Sequence, residues 1–306
     1  MNSPPEIANL CIAYGINKLQ KPYVKIFILS IIGGFFIGAS SVLSNICSYN
    51  FSGGIAQFYS GLVFPIGTMA VYCAGAELFT GNILLTMAFF NGNVPLLNML
   101  LNWLITLVGN FIGALIVALL VVYGHVPNMF NIHLAQTIIL YGIEKVSYNF
   151  AEAFIRGILC NFFNCLAIWV SMGGRDFRSV MAGLWTPIFL YQTWNLDHYV
   201  ADVYYITAGL FASYEYGLDR TSLGWGKLFY KSIIPVALGN IIGGGVLGMT
   251  YYYIYLTKDF PEINSSSQNI ESPRLNVTNN STNNNIIYND EQPGDLTTLH
   301  AMNKEE

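Results

Sequence analysis

The chain has 306 residues, 54% of them hydrophobic and only 10% charged, with a mean hydropathy of +0.47. That composition argues against a soluble bundle, whose outer helices need a charged face. A formal net charge of −4 with no basic run gives no footing for nucleic acid.

Residues 5–22 are amphipathic and short of spanning length, with Lys18 and Lys21 near their end. They read as a helix lying on the membrane surface within an N-terminal segment 1–23. They lack the unbroken apolar stretch of a cleavable signal. Apolar blocks follow at 24–47, 55–90, 96–123, 151–172, 180–210 and 228–255. A bilayer core takes about 20 apolar residues per helix, so the pattern predicts an all-α membrane protein with six crossings over 24–258. The second and fifth blocks are over-long. Gly75, Glu77, Thr80, Gly81 and Asn82 interrupt the second, and Asn195, Asp197, His198 and Asp202 the fifth. Between the third and fourth crossings lies a polar connection with His125, Pro127, His133 and Lys145.

From residue 259 the pattern stops. Residues 259–306 hold eight of the 17 acids, are rich in Asn, Ser and Thr, and read as a disordered polar tail. Lys18, Lys21, Lys25, Arg175, Arg178 and Lys258 fall on the side of both termini, against Lys145, Arg220 and Lys227 on the other. This bias predicts cytoplasmic termini, and a plasma-membrane location is expected. The five cysteines are scattered without metal-ligand spacing, so neither a metal nor a cofactor is expected.

Two strings occur twice in the same order. Gly61-Leu62-Val63-Phe64-Pro65-Ile66 returns as Gly183-Leu184-Trp185-Thr186-Pro187-Ile188, and Val108-Gly109-Asn110-Phe111-Ile112-Gly113-Ala114 as Leu238-Gly239-Asn240-Ile241-Ile242-Gly243-Gly244. They put the second and fifth crossings, and the third and sixth, in register. Three crossings per copy make the second copy run upside down, an inverted 3+3 repeat with broken second and fifth helices. A break at membrane depth leaves backbone groups unpaired unless they are buried in protein or line a cavity. Paired breaks therefore point to a solute site near the midplane, or, more plainly, to bent structural helices.

An ionisable side chain at the bilayer centre costs at least ~2.5–3.5 kcal/mol on insertion scales and usually serves function. His198 is such a group, and imidazole exchanges protons near neutral pH. Thr80 offers a hydrogen bond without charge, or caps the helix after its break. Glu77 and Asp197 are expected to hold the break loops.

The segments Gly75-Ala76-Glu77-Leu78-Phe79-Thr80-Gly81-Asn82, Gly157-Ile158-Leu159-Cys160-Asn161-Phe162-Phe163-Asn164-Cys165, Asn195-Leu196-Asp197-His198-Tyr199-Val200-Ala201-Asp202 and Gly239-Asn240-Ile241-Ile242-Gly243-Gly244 closely resemble the formate–nitrite transporter family, in order, over about residues 5–258. The resemblance implies an aquaporin-like fold, a homopentamer with one pore per subunit, and movement of small acid anions with a proton across the lipid bilayer. By position it makes Thr80 and His198 the central pair, with Asn161 beside the histidine. Phe64, Leu78, Phe79 and Tyr191 fall at apolar constrictions, and Lys145 in the outer vestibule, where it would gather anions. This sequence departs from the family at Asn164 and Thr68, where apolar residues are common, and at Asp202, where Asn is usual. A carboxylate one helical turn from His198 is expected to tune the pH response. The expected function is proton-coupled, channel-like transport of small monocarboxylates, formate or acetate first and lactate next, rather than an enzymatic reaction. The alternatives are a neutral-solute channel of aquaporin type, whose paired Asn-Pro-Ala boxes are absent from the sequence, and a membrane scaffold without transport.

Overall fold

The computed structural model describes residues 1–219 and 221–257, and every regular element among them is helical. The elements are α1 (Pro4–Leu19), α2 (Tyr23–Ser48), α3 (Gly53–Val63), α4 (Pro65–Ala74), α5 (Phe79–Asn82), α6 (Leu85–Phe90) and α7 (Leu96–Tyr123). After a 3₁₀ turn (Val126–Asn128) come α8 (His133–Ser147), α9 (Phe150–Met172), α10 (Phe177–Thr193), α11 (Tyr199–Glu215), α12 (Trp225–Lys227), a π-helical stretch (Leu228–Ile233) and α13 (Ile234–Leu256). Among the described residues, Tyr23–Ser48, Gly53–Ala74, Leu96–Tyr123, Phe150–Met172 and Trp225–Leu256 are long and apolar enough to cross a membrane. The region expected to make the remaining crossing is divided into α10 and α11, 17 residues each.

Polarity within these helices runs opposite to a soluble protein. On α2 the buried positions include Ser30, Gly33, Gly34, Ser40, Ser41, Ser44 and Asn45, whereas Val24, Ile28, Ile32 and Phe35 are exposed. On α7 the buried face carries Asn102, Thr106, Gly109, Asn110 and Gly113, and Leu97, Leu100, Leu104 and Val108 point outward. Lipid offers no hydrophobic reason to bury Leu, so small and polar residues gather where helices meet.

Close backbone approach is built into two helix pairs. A Cβ on Gly113 of α7 would collide with the carbonyl of Ile31 on α2, and one on Gly243 of α13 with the carbonyl of Ile158 on α9. Helix α1 lies against α6, α9 and α13, burying Ile7, Ala8, Cys11, Ile12, Gly15 and Lys18. The expected polar connection is corrected by the structure, because most of it is α8. Its buried Leu134, Ala135, Ile138, Ile139, Gly142, Lys145 and Val146 recur at helical spacing and dock on α11. His133, Gln136, Thr137 and Glu144 dilute the hydropathy that would reveal it. The tail expected at 259–306 lies outside the described residues.

Gly243→Ala should lower the melting temperature in detergent by several degrees, since overpacking costs about 1–3 kcal/mol. Gly245→Ala, where a Cβ meets nothing within 4 Å, should leave it unchanged or raise it. Equal melting temperatures for the two variants would contradict the close α9–α13 approach.

Candidate functional site

Both expected breaks are present and are built alike. Helix α4 stops at Gly75, whose φ of +66° is left-handed, and the chain runs extended through Leu78 before α5. Helix α10 stops near Asn195, also left-handed at φ +55°, and resumes after an extended His198. One asparagine secures each loop. Asn110 Nδ2 donates to Glu77 O (2.9 Å) and Ser30 O (2.6 Å), and its Oδ1 accepts from Phe79 N (2.7 Å). Asn240 Nδ2 donates to Asp197 O (3.3 Å) and Gly157 O (2.8 Å), and its Oδ1 accepts from Tyr199 N (3.1 Å). These bonds occupy the backbone groups that the breaks free.

A buried carboxylate stands in each loop between two cations. Glu77 meets Lys18 and Lys21, both at 2.6 Å. Asp197 meets Lys145 and Arg156, both at 2.7 Å, and Arg156 also donates to Asn195 O. The two clusters differ in one slot, five residues after each acid. Asn82 there donates to Glu77 Oε2 and to Asn102 Oδ1, both at 2.9 Å. Asp202 there lies 3.9 Å from Lys145 Nζ and accepts from Ser232 Oγ at 3.3 Å.

The held loops bring Thr80 and His198 together: Thr80 Oγ1 is 2.9 Å from His198 Nε2, and both side chains are buried. His198 Nδ1 accepts from the Ala201 backbone N–H at 3.4 Å, capping α11. A neutral ring in that setting carries its proton on Nε2 and donates it to Thr80. Thr80 is thus engaged by the histidine, and Leu78, not Thr80, stands at the helix cap. Phe64 and Tyr191 flank the imidazole with ring centroids 6.3 and 6.1 Å away. Phe79 packs on Tyr199 instead, at 5.5 Å, and Leu78 lines a cavity of about 220 Å³ that opens beside Lys18 and Lys21. Asn161 donates to Thr80 O (3.1 Å) and Asn240 O (2.7 Å), so it braces backbone and has no proton left for a solute.

Two expected placements need correction. Lys145 is not an exposed vestibule lysine, because its ion pairs draw it into the protein and leave the residue 3% exposed. The carboxylate of Asp202 faces Lys145 and Ser232, and its link to His198 is the backbone bond of a helical turn, Asp202 N to His198 O at 2.9 Å. The loop-holding roles of Asn110 and Asn240 do not emerge from sequence reading, although both stand in the duplicated strings. Nor do Lys18, Lys21 and Arg156 as partners of the loop acids; a cation is the expected company for a carboxylate at such depth.

A helical membrane protein whose two interrupted helices meet at a buried Thr–His contact, beside a cation-flanked cavity, has the build of a channel or transporter. Residues 5–254 match the family model described as formate/nitrite transporter, and the chain belongs to the formate/nitrite transporter family. It is 34% identical over 263 residues to the uncharacterized transporter YrhG of Bacillus subtilis, covering 84% of this chain and 94% of that protein. It is 32% identical over 259 residues to the formate channel BtFdhC of Bacillus thuringiensis, covering 83% and 96%. Its fold matches a pentameric formate channel solved with formate bound, with a TM-score of 0.68 at 24% identity over 77% of this chain and 98% of that one.

Removing one member of a buried ion pair costs about 3–5 kcal/mol. Glu77→Gln should therefore cut the folded fraction in detergent sharply. Lys21→Ala, whose side chain is 29% exposed, should cost about 1 kcal/mol or less. Thermal melts of the two purified variants make the comparison, and equal losses would contradict the burial of the cluster.

Proposed function

We propose that this protein carries small monocarboxylates, formate or acetate first and lactate next, together with a proton through a pore in each subunit of a homopentamer. The observation that carries the reading is the buried Thr80–His198 contact at the meeting of two broken helices. The formate channels among its relatives support formate, and the pentameric solved channel supports the pentamer. The matched bonds of Asn110 and Asn240 support six crossings arranged as an inverted repeat, and the Lys and Arg bias toward the side of the termini supports cytoplasmic termini in the plasma membrane.

The chemistry follows from desolvation. A bare carboxylate cannot enter a dry, aromatic-lined passage. Lys18 and Lys21 draw the anion into the cavity, and the falling polarity raises its proton affinity until the neutral acid forms. That acid passes Leu78 and then Phe64 and Tyr191, exchanging hydrogen bonds with Thr80 and His198 midway.

Uptake of labelled formate, acetate and lactate into proteoliposomes between pH 5 and 8 tests this reading. His198→Asn should abolish proton-linked uptake while the oligomer survives. Thr80→Val should slow it about tenfold, the effect of one lost hydrogen bond at a buried point. Full proton-linked uptake by His198→Asn would remove the histidine from the mechanism.

Asp202 sets the charge on its own side of the pore. Asp202→Asn leaves Lys145 and Arg156 facing one carboxylate, as Lys18 and Lys21 do. Uptake from that side should rise roughly two- to fivefold at low salt and less at high salt. Uptake identical to wild type at every ionic strength would show that Asp202 does not tune the pore.

A further inference from the structure

The last crossing begins with a feature that the passage of an acid leaves unused. A π-helical stretch covers Leu228–Ile233, and π segments in helices often mark functional positions. Two adjacent side chains part company here. Ser232 is buried and donates to Asp202, whereas Lys231 lines a cavity of about 330 Å³ with Lys227, Ser222 and three residues of α8, Ile143, Val146 and Ser147.

Two ammonium groups thus border one cavity without an acid between them. None of the ion pairs among the described residues includes either lysine. Lys227 Nζ donates to the carbonyls of Thr221 (3.3 Å) and Ser222 (2.8 Å), which hold it in place and leave its charge uncancelled. Lys231 Nζ stands over the Tyr230 ring, 6.0 Å from the centroid. The acids of the flanking segments are engaged elsewhere: Glu144 accepts from Asn195 and Tyr148, and Asp219 from Thr221 and Ser222.

The surroundings specify the kind of anion that fits. Trp225 and Tyr230 are exposed beside the lysines, and these are the residue types that settle at a membrane–water boundary. Further along, the same helix exposes Ile234, Leu238 and Ile242, four residues apart and therefore on one face. A ligand with an anionic head and acyl chains matches both features. A soluble anion matches only the first.

We infer that Lys227 and Lys231 bind the phosphate of an anionic phospholipid whose chains lie along Ile234, Leu238 and Ile242. A lipid held there ties α8 to the last crossing and stabilises the folded chain.

The test is lipid binding to the purified full chain in neutral detergent, read by native mass spectrometry and thermal melts. The probes are phosphatidylglycerol, phosphatidylcholine with the same chains, and glycerol 3-phosphate as a headgroup without chains. Phosphatidylglycerol should bind more tightly than phosphatidylcholine and raise the melting temperature further, and glycerol 3-phosphate at the same concentration should do neither. Lys227→Gln with Lys231→Gln should weaken phosphatidylglycerol binding roughly thirtyfold, about fivefold for each lysine. Lys25→Gln with Arg178→Gln, which removes two exposed charges elsewhere, should leave most of it. Equal losses in the two double variants would overturn the inference, because the attraction would then be general. An effect of glycerol 3-phosphate equal to that of phosphatidylglycerol would overturn it too, making the cavity a soluble-anion site. If Lys227→Gln unsettles the loop whose carbonyls it holds, Lys231→Gln alone decides, and unchanged phosphatidylglycerol binding in that variant overturns the inference.

Discussion

The structure depends on satisfying backbone groups freed at membrane depth. A helix that stops inside an apolar slab leaves N–H and C=O groups with no water to take them. Asn110 and Asn240 solve this identically. Each ties a loop carbonyl and a neighbouring-helix carbonyl to its amide protons, and offers its oxygen to the first N–H of the resumed helix. A side-chain amide has two donors and an acceptor in one plane, and every one of them is used. The crowded glycines follow from this, since an asparagine reaches the next helix's main chain only if the two backbones nearly touch. A satisfied network of this kind is rigid, which is what fixes Thr80 and His198 at 2.9 Å.

The same construction appears in both halves, and the difference between them lies in charge. Each loop acid holds two cations. On the Glu77 side the neighbouring slot is Asn82, and on the Asp197 side it is Asp202. With two cations against one acid, the first cluster is electropositive and borders an open cavity. The second sets two cations against two acids, and its Lys145 is buried. A single amide-to-acid difference thus sets two otherwise similar clusters apart.

Much of the fold and of the site is legible in the amino-acid sequence. Helix α7 spans 96–123 as the apolar run does, and the breaks fall at Gly75 and Asn195 because left-handed backbone favours glycine and asparagine. Partner choice is what the sequence conceals. Hydropathy reports the side of a helix that faces lipid, so α8, which docks on α11 and keeps His133, Gln136 and other polar residues outside, leaves only a weak trace. A lysine's long stem reaches in several directions, and nothing local in the chain says that Lys18 ends on Glu77 or that Lys145 turns inward to Asp197. Asp202 is one turn from His198, but helix phase points its carboxylate toward Lys145 on α8 and Ser232 before α13. Spacing along one helix identifies neighbours on that helix, and the neighbours that matter here come from others.

The orientation of His198 constrains any proton chemistry at the centre. Its Nδ1 is occupied in accepting the Ala201 N–H that starts α11. Protonating that nitrogen would set N–H against N–H and remove the helix cap. The ring therefore serves through Nε2–H as a hydrogen-bond donor to Thr80. Since Nε2 donates to Thr80 Oγ1, the threonine's own proton is directed elsewhere. The histidine thereby sets which way the Thr80 hydroxyl points. A ring with its proton on Nδ1 would reverse the hydrogen bond to Thr80 and uncap α11 in the same step, so the helix cap itself holds the ring's proton on Nε2.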